Sequence, residues 1–158
     1  MALILAHRGA VPAGSDLVAN TLEAFGLALA LGADGVELDA RLTGDGVLVV
    51  HHDPVWSPDL GDLGDRAGRA VAATASAARP VLVPTLVEAL DRCRGNGPGR
   101  PLVNIELKVD DPAGVEATAS ALAAVLASRP GADRVVVSSF DLDVLDALRD
   151  RSGPGPAR

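Results

Sequence analysis

Short apolar runs alternate with amphipathic stretches along the chain. Leu3 to Ala6 is apolar almost from the first residue, which predicts a buried strand ended by His7-Arg8-Gly9. A Gly/Pro/Ser loop spans Val11 to Ala19. Asn20 and Thr21 are helix N-cap types, and Glu23 stands at the capping-box distance from Asn20. Leu22, Phe25, Ala28 and Leu29 share one face of the helix they start, and Gly32 is a natural stop. Val36 to Arg41 predicts a second strand, Thr43 to Gly46 a tight turn, and Val47 to Val50 a third extended run closing on His51-His52-Asp53-Pro54. Seven residues, Ala40 to Gly46, separate Asp39 from Val47. A parallel crossover needs about a dozen or more. The two runs therefore form a hairpin-like excursion, and only the first belongs to a parallel sheet.

Residues 55–80 read as loop followed by an Ala-rich helical stretch from about Arg66 to Ala78. Thr85 to Cys93 reads as a helix with Leu86, Ala89 and Leu90 inward, Gly95 to Arg100 as a loop, and Leu102 to Lys108 as a strand. Pro112 opens a helix to about Ser128 whose apolar face carries Val115, Leu122, Val125 and Leu126. Val135 to Ser139 is a strand, Asp141 to Asp150 a helix, and 151–158 a loose Gly/Pro tail after a domain of residues 1–150. Strands alternating with helices argue for an α/β fold built on a parallel sheet.

Composition narrows the function. At 158 residues the chain has room for one domain with a core. Aromatic residues are 2% of it and the formal charge is −7, which argues against nucleic acid as a partner. An anionic substrate needs a metal or a few placed cations. The lone Cys93 closes no internal disulfide. With no signal-peptide pattern and no long apolar span, a cytoplasmic chain without membrane insertion is expected.

In parallel α/β proteins the reactive groups gather at the carboxyl ends of the strands. His7 and Arg8, then Glu37 and Asp39, then Asn104, Glu106 and Lys108, then Ser138 and Ser139 fall there. Glu37 and Asp39, two residues apart, share a strand face, as do Glu106 and Lys108. A cluster of like charge is tolerable only with positive charge among it. A divalent cation that prefers oxygen, Mg²⁺ or Ca²⁺, is one solution, and pairing with Arg or Lys is the other. His7 and one of His51 and His52 are candidates for proton transfer, and periodicity alone does not choose between the last two. The serines read as strand-end hydrogen bonders. Asp59, Asp62 and Asp65 lack the spacing of a calcium-binding loop.

AHRG (6–9), NTLEAF (20–25), GADGVELDARLTGDGVLVVHHDP (32–54), PTLVEAL (84–90), NIELK (104–108) and VVVSSF (135–140) together resemble the glycerophosphodiester phosphodiesterase family, in family order and across almost the whole chain. The resemblance implies a (β/α)₈ TIM-like barrel and metal-dependent hydrolysis of a small-molecule phosphodiester to glycerol 3-phosphate and an alcohol. It implies Glu37, Asp39 and Glu106 as ligands of one divalent cation, Mg²⁺ or Ca²⁺. It also implies His7 and His52 as the catalytic histidines, Arg8 and Lys108 near the phosphate, and Asp53 as support either for a site residue from behind or for the turn. The nucleophile is water or a neighbouring substrate hydroxyl, and either histidine can be the acid. Ala19 stands where the family usually has Glu, and VWSPDLG follows His52-Asp53-Pro54 in place of the usual segment.

A complete barrel has eight strands and about 250 residues. About four barrel strands plus the hairpin excursion are legible here, ending near Ala6, Asp39, Lys108 and Ser139. Such a partial barrel is expected to expose two sheet edges and an apolar face, open to self-association. Three outcomes follow: a fragment of a longer product, two copies completing a barrel, or an inactive relic that at most binds metal or phosphodiester. A lipid-like diester is a further substrate class, disfavoured by the lack of an apolar lip.

Overall fold

The structure is a computed structural model. It describes residues 2–57, 61–62, 83–94, 100–129 and 134–152. The helical stretch expected near 66–78, most of the 59–65 aspartate run, most of the 95–100 loop and the tail beyond 152 lie outside the described residues.

Four strands form a parallel sheet in the order β1 (Leu5–His7), β2 (Gly35–Leu42), β6 (Leu102–Leu107) and β7 (Val135–Ser138). The excursion predicted from chain length is present. β3 (Leu48–Val50) turns back antiparallel on the end of β2, with Ala40 opposite Val50 and Leu42 opposite Leu48. Ala40 also pairs with Leu107, so β3 lies on the β1 side of β2. The segment from Val55, expected as loop, instead starts with a small antiparallel pair, β4 (Val55–Ser57) and β5 (Gly61–Asp62). Strands this short carry no periodicity to read.

Helices α1 (Leu22–Ala30), α2 (Leu86–Arg92), α3 (Val115–Ala127) and α4 (Leu142–Ser152) cover one face of the sheet. Alternation along the strands explains the core. Val36, Leu38 and Ala40 of β2 and Val103, Ile105 and Leu107 of β6 are buried with Phe25, Leu86, Leu122 and Val144 from the helices. The other face carries the alternate residues in layers fixed by register. His7, Glu37 and Asn104 stand at one level, and Asp39, Glu106 and Ser138 at the next.

Three expectations are corrected. The N-cap of α1 is Thr21, whose hydroxyl accepts from Ala24 N at 3.3 Å, and no capping box joins Asn20 to Glu23. Asn20 instead takes a left-handed backbone (φ 61°) and turns its amide toward β2. The first strand is not buried: Leu3 and Ile4 are exposed, because β1 pairs with β2 alone among the described residues. Finally, α4 runs to Ser152, past the expected start of the tail, with Arg151 Nη1 donating to Ala147 O at 2.7 Å.

Candidate active site

The polar groups at the carboxyl ends of the strands converge. Glu37, Asp39 and Glu106 each offer an oxygen, and these atoms lie within 4.8 Å of one another. Register produces the meeting, since Asp39 is the direct partner of Glu106 and Glu37 precedes Asp39 on the same face. Asp39 is 0% exposed. Arg8 Nε lies 2.8 Å from its Oδ2, Asn20 Nδ2 donates to that oxygen at 2.9 Å, and Lys108 Nζ lies 3.3 Å from its Oδ1. Lys108 also donates to Glu106 Oε1 at 2.5 Å. Both solutions for a like-charge cluster are therefore built in: two cations stand among the carboxylates, and the carboxylates keep oxygens in common reach.

The balance is incomplete. Glu37 Oε1 is buried without a hydrogen-bond partner, and Asp39 Oδ1, buried too, has only the Lys108 ammonium at ion-pair distance among the described residues. Buried oxygens in that state are costly. Burial, and next the Asp39 carboxylate, push the Glu37 carboxyl above its ordinary range. Three carboxylates with oxygens in common reach, and a buried Glu37 oxygen without a hydrogen bond, fit a hard divalent cation.

The turn after β1 delivers Arg8. Its backbone is left-handed (φ 57°), and its N–H donates to Glu37 O at 3.0 Å and more weakly to Glu37 Oε2 at 3.2 Å. Gly9 follows at φ 86°, where an added Cβ would lie 2.6 Å from the Ala24 carbonyl carbon. Only glycine allows this close passage over α1. His7 is more open: its imidazole is 71% exposed, with Nε2 3.8 Å from Glu37 Oε2.

His52 follows β3. Its Nδ1 donates to Asp53 Oδ1 at 2.7 Å, while His51 Nδ1 donates to Asp53 O at 2.8 Å. The His52 hydrogen bond is the main cause that holds the Asp53 carboxyl below its usual range. An ionised Asp53 fixes the proton of neutral His52 on Nδ1 and leaves the lone pair on Nε2.

A profile of the Glycerophosphoryl diester phosphodiesterase family matches residues 7–157. The chain belongs to this family. A glycerophosphodiester phosphodiesterase of Caldanaerobacter subterraneus is 53% identical over 51 residues, 32% of this chain and 20% of that protein. The crystal structure of a glycerophosphodiester phosphodiesterase from Thermotoga maritima superposes with a TM-score of 0.68 at 32% identity, covering 92% of this chain and 57% of that one. An Oleispira antarctica phosphodiesterase, solved with the product sn-glycerol-3-phosphate, gives a TM-score of 0.76 at 27% identity, covering 92% of this chain and 60% of that one. The chain thus spans about three fifths of the length of these structures. Its fold is α/β, part of a TIM-type barrel.

Of the residues singled out in the sequence, Arg8, Glu37, Asp39, Glu106 and Lys108 are joined by direct contacts, His7 faces Glu37, and His52 pairs with Asp53. Ser138 Oγ donates to Asn104 Oδ1 at 3.2 Å and Ser139 Oγ to Leu107 O at 2.7 Å, the strand-end bonding expected of them. Two site residues escaped the sequence reading. Asn20 grips Asp39 and Arg41 grips the His52 segment, both through contacts that local pattern does not encode. One exposed aromatic residue stands at this end of the sheet. Phe140 is 94% exposed just past β7, with Lys108 Nζ 5.6 Å from its ring centre.

Proposed function

We propose that the chain carries the site of a metal-dependent glycerophosphodiester phosphodiesterase, hydrolysing its substrate to glycerol 3-phosphate and an alcohol. The observation that carries this reading is the convergence of Glu37, Asp39 and Glu106, with a buried Glu37 oxygen that has no hydrogen bond, in a member of this family. The product complex of the Oleispira antarctica relative supports the same substrate class. In this reading Glu37, Asp39 and Glu106 hold one Mg²⁺ or Ca²⁺. When bound, such an ion supplies Lewis acidity at a phosphoryl oxygen.

The chain's own groups perform the rest. His52, with its proton held on Nδ1 by Asp53, presents Nε2 for proton transfer, and His7 offers the second imidazole. One takes the proton of the attacking hydroxyl or water and the other gives one to the departing alkoxide. Arg8 and Lys108 sit beside the cluster and offset charge gathering on the phosphate. Asn20 holds Asp39 in place by two hydrogen bonds, of 2.9 and 3.4 Å.

The test is release of glycerol 3-phosphate from a glycerophosphodiester by the chain, with and without EDTA. Activity that vanishes with EDTA, returns with Mg²⁺ or Ca²⁺, and is abolished in His7→Ala and in Glu37→Ala is the expected result. Activity indifferent to the chelator and to both substitutions contradicts the mechanism. No turnover at high protein concentration, with metal bound, supports the relic instead.

We also infer that copies of this chain associate through the edges of the sheet at β1 and β7, which pair with no further strand among the described residues. Leu3 and Ile4 before β1, Val136 within β7, and Phe140 and Leu142 after it are exposed apolar side chains near those two edges.

A further inference from the structure

Arg41 is buried on the same strand face as Glu37 and Asp39, yet it touches neither in the contacts that define the cluster. Its Nε donates to the backbone carbonyl of His52 at 2.8 Å, and its Nη1 donates to the Asp110 carboxylate. These partners come from opposite sides of β2. The His52 segment follows β3, and Asp110 follows β6.

Residues 51–54 belong to no strand. The ladder ends at Val50, and the next backbone bond is His51 N to Asp39 O at 3.0 Å. Beyond it, among the described residues, the Arg41 guanidinium holds the His52 carbonyl, the His51 ring holds the Asp53 carbonyl, and the Asp53 carboxylate holds the His52 ring. A planar group with donors on two edges can serve both partners at once, whereas a lysine ammonium is a single point on a flexible stem. An exposed carboxylate such as Asp110 adds little stability by itself. Its use here is to aim the guanidinium.

We propose that Arg41 is a positioning residue that, aimed by Asp110, sets the backbone of His52 and with it the reach of the His52 imidazole into the site. This rests on the reading of His52 as a proton-transfer group. Loss of the anchor lets the imidazole drift, and a displacement of about 1 Å in a catalytic group costs on the order of 10²-fold in rate.

The test uses the whole chain with Mg²⁺ or Ca²⁺ and glycerophosphocholine as probe, comparing wild type, Arg41→Lys, Asp110→Asn and His52→Ala. Amide hydrogen exchange across residues 50–54 is measured in parallel. Arg41→Lys keeps the charge and loses the fork. It is expected to lower kcat on the order of 10²-fold with KM unchanged, and to speed exchange at 51–54. Asp110→Asn, which keeps Arg41 and perturbs the fold least, is expected to give a smaller change of the same kind in both readouts. Wild-type exchange and wild-type kcat in Arg41→Lys overturn the proposal, as does a rise in KM alone. If the wild-type chain has no turnover, or His52→Ala costs nothing, the hydrolase reading fails separately. Exchange then decides for Arg41: faster exchange upholds the anchor, and unchanged exchange removes it.

Discussion

Glu37 shows how one side chain carries opposed demands. Its carboxyl is held above the ordinary range by burial first and by the Asp39 carboxylate second. A carboxyl with a raised folded-state value keeps its proton more tightly when folded. Its favourable contribution is present at low pH and is lost as pH rises through the folded-state value. At neutral pH without metal, Glu37 therefore opposes folding. Glu37→Gln is expected to raise the metal-free Tm at neutral pH, and to remove the Tm increase that Mg²⁺ or Ca²⁺ gives the wild type. Scanning fluorimetry across pH with and without EDTA reads both effects, and a Tm that falls in the metal-free variant contradicts the assignment. Cys93 is a simpler case: burial pushes its thiol up to about 11. The unfolded chain ionises first, so stability drops as pH rises from the ordinary 9.0 toward about 11. In the folded chain near pH 8, alkylation by iodoacetamide should wait on opening of the core, at a rate far below that in denaturant. Equal rates would mean that the thiol is not buried. The carboxylates were legible in the sequence because period-two spacing and strand ends place them, and His7 because it ends a strand, whereas His52 was distinguished from His51 by the family resemblance alone. Asn20 and Arg41 were not legible: each acts through a long-range contact, and Asn20 is also a residue type that local rules assign to a helix cap.

At the scale of elements, turns and caps decide where the site groups stand. The turn at Arg8 and Gly9 uses two left-handed residues in succession and passes over Ala24 too closely for any side chain. Gly9→Ala is thus expected to destabilise the chain and to displace Arg8 from Asp39. Calorimetry should show the lower Tm, and activity should fall even where the variant remains folded. An unchanged Tm would rule out the close passage. Helix α2 depends on a reciprocal cap in which Glu88 N donates to Thr85 Oγ1 at 3.2 Å and Thr85 N donates to Glu88 Oε2 at 2.8 Å. Thr85→Ala should cost about 1 kcal/mol in denaturant unfolding. The same Thr85 forms a bridge with Val49, so the cap also steadies the strand that leads to His52. Chain length alone distinguished the β2–β3 hairpin from a crossover. The β4–β5 pair was missed because neither strand is long enough to show an alternation.

Across the described residues, the molecule is a sheet covered on one face by helices and lined on the other by charged groups at its carboxyl end. Among the described residues, the exposed large apolar side chains include Leu3 and Ile4 near β1 and Val136, Phe140 and Leu142 at or just past β7, with Val136 on the inner face at the level of Glu37 and Asn104. Val11, Val18, Leu31 and Val87 are exposed elsewhere. If copies associate through the edges at β1 and β7, sedimentation velocity should show a concentration-dependent oligomer that Val136→Lys shifts toward monomer. A wild-type monomer at all concentrations would contradict the association. The alternation of strands and helices was plain in the sequence because each apolar run is short and separately bounded. The two exposed edges were expected from the number of strands and not from any local pattern, since an edge strand and an inner strand differ in partners rather than in pattern.

The central claim is that Glu37, Asp39 and Glu106 hold a single divalent cation together. Calorimetric titration of the EDTA-stripped chain with Mg²⁺ and with Ca²⁺ tests it directly, alongside Glu37→Gln and Glu106→Gln. One ion bound per chain, lost or strongly weakened in both variants, is the result this account predicts. Absence of binding by the wild-type chain, or binding that survives both substitutions unchanged, would contradict it.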